Sequence, residues 1–153
     1  MLIGLVILQI TRLSLNFAFF WGDSLISWKS KKQDVVAVSA TEVVYPAMAS
    51  TTCEIVWLCR LLSDMGVSLP SPSSMYCDDK SAIQIAHNSI FHERTKHIEI
   101  DCHITHHHLK RRAITLPFAY SSAQIADLFT KSHPIQRFHF LVGKLSMLLA
   151  AAS

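Results

Sequence analysis

A chain of 153 residues with a formal net charge of +3 suffices for one domain with a real core and is too short for two. Half of it is hydrophobic and 16% is charged, which excludes an intrinsically disordered chain; the modest positive balance permits nucleic-acid contact without requiring it. Cys53, Cys59, Cys77 and Cys102 lack zinc-ribbon spacing and are too sparse for a disulfide framework. They are expected as buried free thiols in a reducing compartment, cytoplasm or nucleus rather than the secreted space.

The apolar run Met1–Ile10 has no basic flank of the signal-peptide kind, and the uncharged stretch before Arg12 is shorter than the roughly 20 residues of a membrane span. Neither export nor a membrane partner is expected. Residues Phe17 to Trp28 read as two aromatic and β-branched strands around a Gly22-Asp23 turn, followed by a solvated basic stretch, Lys29 to Gln33. A helix is expected from Ser39, because Ser39-x-x-Glu42 has capping-box spacing before an apolar run. It continues through Ile55, Val56, Leu58, Leu61 and Leu62 and stops near Gly66. Pro46 falls inside it, where a proline bends or breaks a helix at a cost of about 3 kcal/mol.

Pro70 to Ser74 reads as a loop, Met75 to Asp78 as a short buried strand, and Lys80 to Asn88 as a helix with Ile83 and Ala86/His87 on one face. Residues 98–104 are ambiguous. Ile98, Ile100, Cys102 and Ile104 alternate like a strand, whereas Ile98, Cys102, Thr105 and Leu109 fit a helix, and periodicity alone leans to the strand. Ala113 to Tyr120 looks like a strand and Ala123 to Lys131 like a helix. Strands and helices alternating behind a hairpin predict an α/β layer architecture.

Three stretches carry a resemblance. They are Met75-Tyr-Cys-Asp-Asp-Lys-Ser-Ala-Ile-Gln-Ile-Ala-His87, His92-Glu-Arg-Thr-Lys-His-Ile-Glu-Ile-Asp-Cys-His103 and Gln124-Ile-Ala-Asp-Leu-Phe-Thr-Lys131. In order and spacing they resemble the ribonuclease H domain at the C-terminal end of copia-type retrotransposon Pol polyproteins. The likeness extends upstream through Gly22 to Gln33 and downstream to Phe138–Leu145, so it covers residues 11–147. It implies a ribonuclease H-like mixed sheet with helices on its faces, a helix over 98–104, a degenerate first strand in residues 1–10 and a tail at 148–153. The family cleaves the RNA strand of RNA–DNA hybrids with two Mg²⁺ ions about 4 Å apart, beside a reverse transcriptase domain. Mg²⁺ demands octahedral oxygen ligands, so such a site needs several converging carboxylates.

Matching motif to motif, the resemblance implies Asp78 and Asp127 as catalytic metal ligands. Asp78 follows Tyr76-Cys77 at the end of a buried strand, the edge where α/β sheets place ligands. Each has a plainer alternative: Asp78 as a helix N-cap, Asp127 as a first-turn acid favoured by the helix dipole. Asp79 is the better cap of the Asp pair. The other two acids are missing. Val44 stands where the family has the Glu that points into the site, and Glu42, two residues earlier, is rotated about 200° away. Residues 1–6, Met-Leu-Ile-Gly-Leu-Val, replace the family's Asp-Ala-Asp-Trp-Ala-Gly. Codons for that acidic strand, read one base later, spell Met-Leu-Ile-Gly-Leu-Val, so a frame-shifted first strand is expected.

Arg94, Lys96 and His97 form a small basic turn that suits a phosphate backbone, with a solvated polar face as the plainer alternative. His103, His106 and His107 have helical spacing for a metal trio, but with Lys110-Arg-Arg112 beside them a polar, partly basic helix face is the plainer reading. The expectation is a remnant ribonuclease H domain without catalysis and with at most one weak Mg²⁺ site. Its rivals are an inactive module binding nucleic acid or reverse transcriptase, and a translated pseudogene fragment.

Overall fold

The computed structural model describes residues 5–10, 14–21, 24–32, 40–88, 96–120, 125, 128 and 132–144. In chain order these form β1 (Leu5–Ile10), β2 (Ser14–Trp21), β3 (Ser24–Lys32), α1 (Ala40–Asp64), β4 (Ser73–Cys77), α2 (Lys80–His87), α3 (Lys96–Lys110), β5 (Ile114–Thr115) and α4 (Ile135–Lys144). The strands make one five-stranded mixed sheet in the order β3-β2-β1-β4-β5. Pairing is antiparallel from β3 to β1 and parallel from β1 to β5.

The central strand comes from the N-terminal apolar run. Leu5-Val-Ile-Leu-Gln-Ile10 is an almost unbroken hydrophobic stretch of the kind a strand needs when sheet lies on both sides of it. It sits between β2 and β4, and among the described residues it comprises Leu5–Ile10, of which Leu5 and Val6 also belong to the stretch matched to the family's acidic motif.

The β2–β3 hairpin appears where its aromatic strands predicted it, with Gly22 and Asp23 between the strands. It runs further than expected in both directions, since Lys29 to Lys32 continue β3, with Lys29, Ser30 and Lys31 exposed as the solvated reading had it. Lysines on an edge strand discourage pairing with other chains, and Lys29 also reaches Glu54 of α1, Nζ to Oε1 3.2 Å. Alternation sorts β2 cleanly. Phe17 and Phe19 enter the core with Val44, Met48, Ile55 and Met75, while Ala18 and Phe20 pack with Ile125 in a second cluster.

Helix α1 runs unbroken through Pro46, contrary to the expected bend or break. Pro46 is exposed, and its ring removes one intrahelical bond on the outer side. Tyr45, Ala47, Met48, Ile55 and Leu58 are buried and hold the helix down on either side of it. The helix ends at Gly66, φ 82°, where Gly66 N–H donates to Ser63 O and Val67 N–H to Leu62 O, each 2.9 Å. This bond pair is a Schellman cap, and glycine suits its left-handed residue.

Residues 98–104 are helical, so the ambiguity resolves in favour of Cys102, Thr105 and Leu109 as the inward stripe. Helix α3 closes with the same two bonds as α1: Arg112 N–H to Leu109 O and Ala113 N–H to His108 O, both 3.0 Å. Here the left-handed residue is Arg112, φ 55°, where a side chain costs about 1–2 kcal/mol. The strand expected over 113–120 shrinks to Ile114–Thr115 plus a single bridge between Cys77 and Phe118. Pro117 explains the gap, because it has no N–H for the ladder and offers only its carbonyl, which accepts from Cys77 N–H at 3.2 Å.

Helix α4, which no sequence pattern predicted, buries Leu141 and Val142. The helix expected over 123–131 lies outside the described residues except for Ile125 and Leu128. No helix among the described residues is long and apolar enough to cross a membrane. Replacing Pro46 with alanine restores the missing bond without touching the core. We expect Pro46→Ala to raise unfolding free energy by about 2–3 kcal/mol in urea titration; unchanged or lower stability would show that the proline imposes no strain.

Candidate functional site

The site to be tested is the carboxyl end of β4. Its backbone is fixed on both flanks. Leu8 of β1 pairs with Cys77 in parallel register, and on the other side Ala119 N–H donates to Cys77 O at 2.9 Å. Asp78 therefore leaves the sheet from a rigid position beside the central strand, half-exposed at the strand's end.

Asp79 takes the capping role. It has extended backbone, φ −99° and ψ 102°, and its Oδ1 accepts from Ala82 N–H at 3.0 Å, which starts α2. Asp79 as the cap of the pair matches the sequence reading. Asp79 N–H also points at Cys77 Sγ, 3.5 Å away. Burial pushes the Cys77 thiol up to about 11, with the Asp78 and Asp79 carboxylates adding to the rise. Cys102 of α3 is likewise raised to about 11 by burial and by Asp101. Tyr45 is raised further, first by burial, then by Cys102 and Asp79, and its buried hydroxyl has no hydrogen-bond partner among the described residues.

The remaining expected ligand positions do not supply acids. Val44 is buried at 6% exposure in the cluster that holds Phe17, Phe19 and Met75, so this part of α1 meets the sheet as core. The six residues of β1 include no carboxylate. Among the described residues no group of three or more His, Cys, Asp or Glu side chains is placed to hold a metal ion. The described donors do not fit a pair of Mg²⁺ ions. Asp127 lies outside the described residues, as does Arg94; the side chains of Lys96 and Glu42 do as well. Ile125 and Leu128, the described residues nearest Asp127, pack against Ala18 and Phe20 on the sheet face away from α1.

The histidine trio separates. His106 Nδ1 lies 3.1 Å from Ala86 O and ties α3 to α2, while the His103 and His107 rings are 6.3 Å apart on the exposed side. A feature the sequence did not signal is the rim next to Asp78, where Lys80 Nζ sits 4.7 Å over the Phe118 ring and Phe118 meets Tyr120 edge-on at 5.2 Å. These contacts join residues distant in sequence, which no local pattern marks. The four thiols are all free, but only Cys77 and Cys102 are buried; Cys53 is exposed and Cys59 half-buried, so the expectation of four interior thiols holds in part.

No family model matches the chain. It is 36% identical over 125 residues to the retrovirus-related Pol polyprotein from transposon RE2 of Arabidopsis thaliana, and 37% over 125 to that from transposon RE1. It is 35% identical over 133 residues to the corresponding polyprotein from transposon TNT 1-94 of Nicotiana tabacum. The chain is related to a segment of transposon Pol polyproteins. The matches cover 82–85% of this chain but only 8–10% of those polyproteins. For a Pol-related segment, the geometry assigns one acid to the sheet end and an apolar core residue to position 44.

Two outcomes follow for this region. Val44→Glu buries a carboxyl in the core and should cost about 3 kcal/mol at neutral pH. The core raises that carboxyl's pKa above the unfolded value of about 4.3, so the penalty shrinks as pH falls toward it. Urea titrations at neutral and acid pH check this, and a neutral effect at both would mean position 44 faces water. With a thiol-reactive disulfide reagent near neutral pH, Cys53 should react at once, and Cys77 and Cys102 only after unfolding; rapid labelling of all in the native state would contradict their burial.

Proposed function

We propose that this chain is a ribonuclease H-like domain descended from a transposon Pol polyprotein, in which the sheet has been kept and hybrid cleavage lost. The observation that carries this reading is the partner of β4. The strand that delivers Asp78 lies against Leu8 in a first strand without a carboxylate. Two further features support it. The sheet runs hairpin first, then a parallel crossover through helices, which suits a mixed sheet with helices on its faces. The position matched to the family's helix glutamate is the buried Val44.

In this reading Asp78 and Asp127 are the surviving ligands of an ancestral two-metal site, and at most one Mg²⁺ is held weakly between them. Two dications a few ångströms apart repel strongly and need several carboxylates to stay together. Arg94 and Lys96 are the proposed contacts to the hybrid's phosphates, and a reverse transcriptase domain is the proposed ancestral neighbour.

The test is hydrolysis. The purified chain should leave the RNA strand of an RNA–DNA hybrid intact in Mg²⁺ and in Mn²⁺. Cleavage by the wild type that disappears in Asp78→Asn would overturn the loss of chemistry and make the site functional as it stands.

A further inference from the structure

We propose that the C-terminal end of α3, together with Arg60 of α1, is a docking surface for a nucleic-acid phosphate backbone at the end of the sheet opposite Asp78. Arg60, His107, Lys110, Arg111 and Arg112 are exposed there and His108 is half-buried. They form one patch. The His107 and His108 rings meet edge-on at 5.2 Å, and the His108 imidazole is lowered by burial and then by His107, Arg111 and Arg60. The ion pair between Lys29 and Glu54 involves none of them.

The location is fixed by the backbone. Ser73 N–H, at the start of β4, donates to Ala113 O at 3.1 Å. Asp78 follows the other end of that strand. Cations here therefore do not serve the carboxylate edge.

Cations near a helix C-terminus can simply answer the helix dipole, which accounts for His108 and Lys110. It does not account for Arg112. That residue occupies the left-handed position of the cap, where α1 uses Gly66 in the same two-bond motif. Glycine would close α3 with less strain. An arginine held in a left-handed conformation, exposed next to Arg111, points to a use for its guanidinium. Guanidinium forks match phosphate oxygens two at a time, and several such contacts along a backbone add affinity without reading sequence. The choice of nucleic acid among polyanions rests on the Pol-related reading above; the choice of phosphate rests on the patch itself.

The experiment is fluorescence anisotropy of a labelled RNA–DNA hybrid with the full chain across a salt series. We expect Arg112→Gly to weaken binding about three- to tenfold and to lower the salt slope by about 1. The same variant should melt about 2–4 °C higher, because it relieves the cap. Arg60→Ala with Arg111→Ala should weaken binding further, and Lys31→Ala on β3 should leave it within about twofold. Loss of affinity with gain of stability in one variant is a result no merely structural role gives. Absence of salt-sensitive hybrid binding would overturn the proposal, as would binding that Arg112→Gly and the double variant leave unchanged. Tighter binding to phosphatidylserine vesicles or to polyglutamate than to the hybrid would overturn it too, by assigning the patch to a membrane or an acidic protein. None of these results touches the loss of cleavage, which hydrolysis alone reads.

Discussion

The parallel pairing of β1 with β4 is the contact on which the molecule depends. Leu5 to Leu8 run beside Ser74 to Cys77, and β1 also carries the whole β2–β3 hairpin on its other edge. Among the described strands, β1 is the one that joins the hairpin to the β4–β5 pair. The hydrogen bonds of that ladder are made by the backbone and are indifferent to side chain, whereas burial of a central strand demands hydrophobic residues. The sequence of β1, mostly Leu, Val and Ile, is of that hydrophobic kind. The acids that two-metal chemistry needs would work against such burial.

On the proposed reading, that asymmetry accounts for a sheet that persists while a metal site is lost. Carboxylates clustered in a cleft repel one another and are hard to desolvate, so a metal site works against the stability of the fold that holds it. Val44 shows the consequence. In the core with Phe17, Phe19 and Met75 it adds apolar burial where an acid would subtract it. Asp79 remains useful without any metal, because Ala82 N–H needs its carboxylate at the start of α2. Pro46 is tolerated for a related reason: its defect faces solvent, and the buried residues on both sides carry the helix past it.

Local signals in the sequence proved reliable where local chemistry decides. The hairpin, the end of α1 at Gly66, and the Asp79 cap were legible because turn residues and caps act over a few positions. The 98–104 segment was not, since its isoleucines fit two periods. Tertiary contact with α1 selects the helix by burying Cys102 and Thr105 while leaving Ile100 exposed. The length of the last strand was misjudged because apolar alternation from Ala113 to Tyr120 masked the effect of Pro117. The motif match put a first strand within residues 1–10, but not its register, which is set by partners far away in the chain. Around the candidate site, the Asp79 cap was legible in the sequence; the burial of Val44 in the core needed the packed structure.

The central claim is that an apolar N-terminal run stands in the middle of the sheet and keeps the fold whole without the acids. Native-state hydrogen exchange of the β1 amides measures it directly. The pairing predicts that the amides of residues 5–10 are protected like those of Ser73–Cys77 and open with them in one cooperative unit. Amides of residues 5–10 exchanging at the rate of an unfolded peptide, while those of β2 and β3 stay protected, would contradict it.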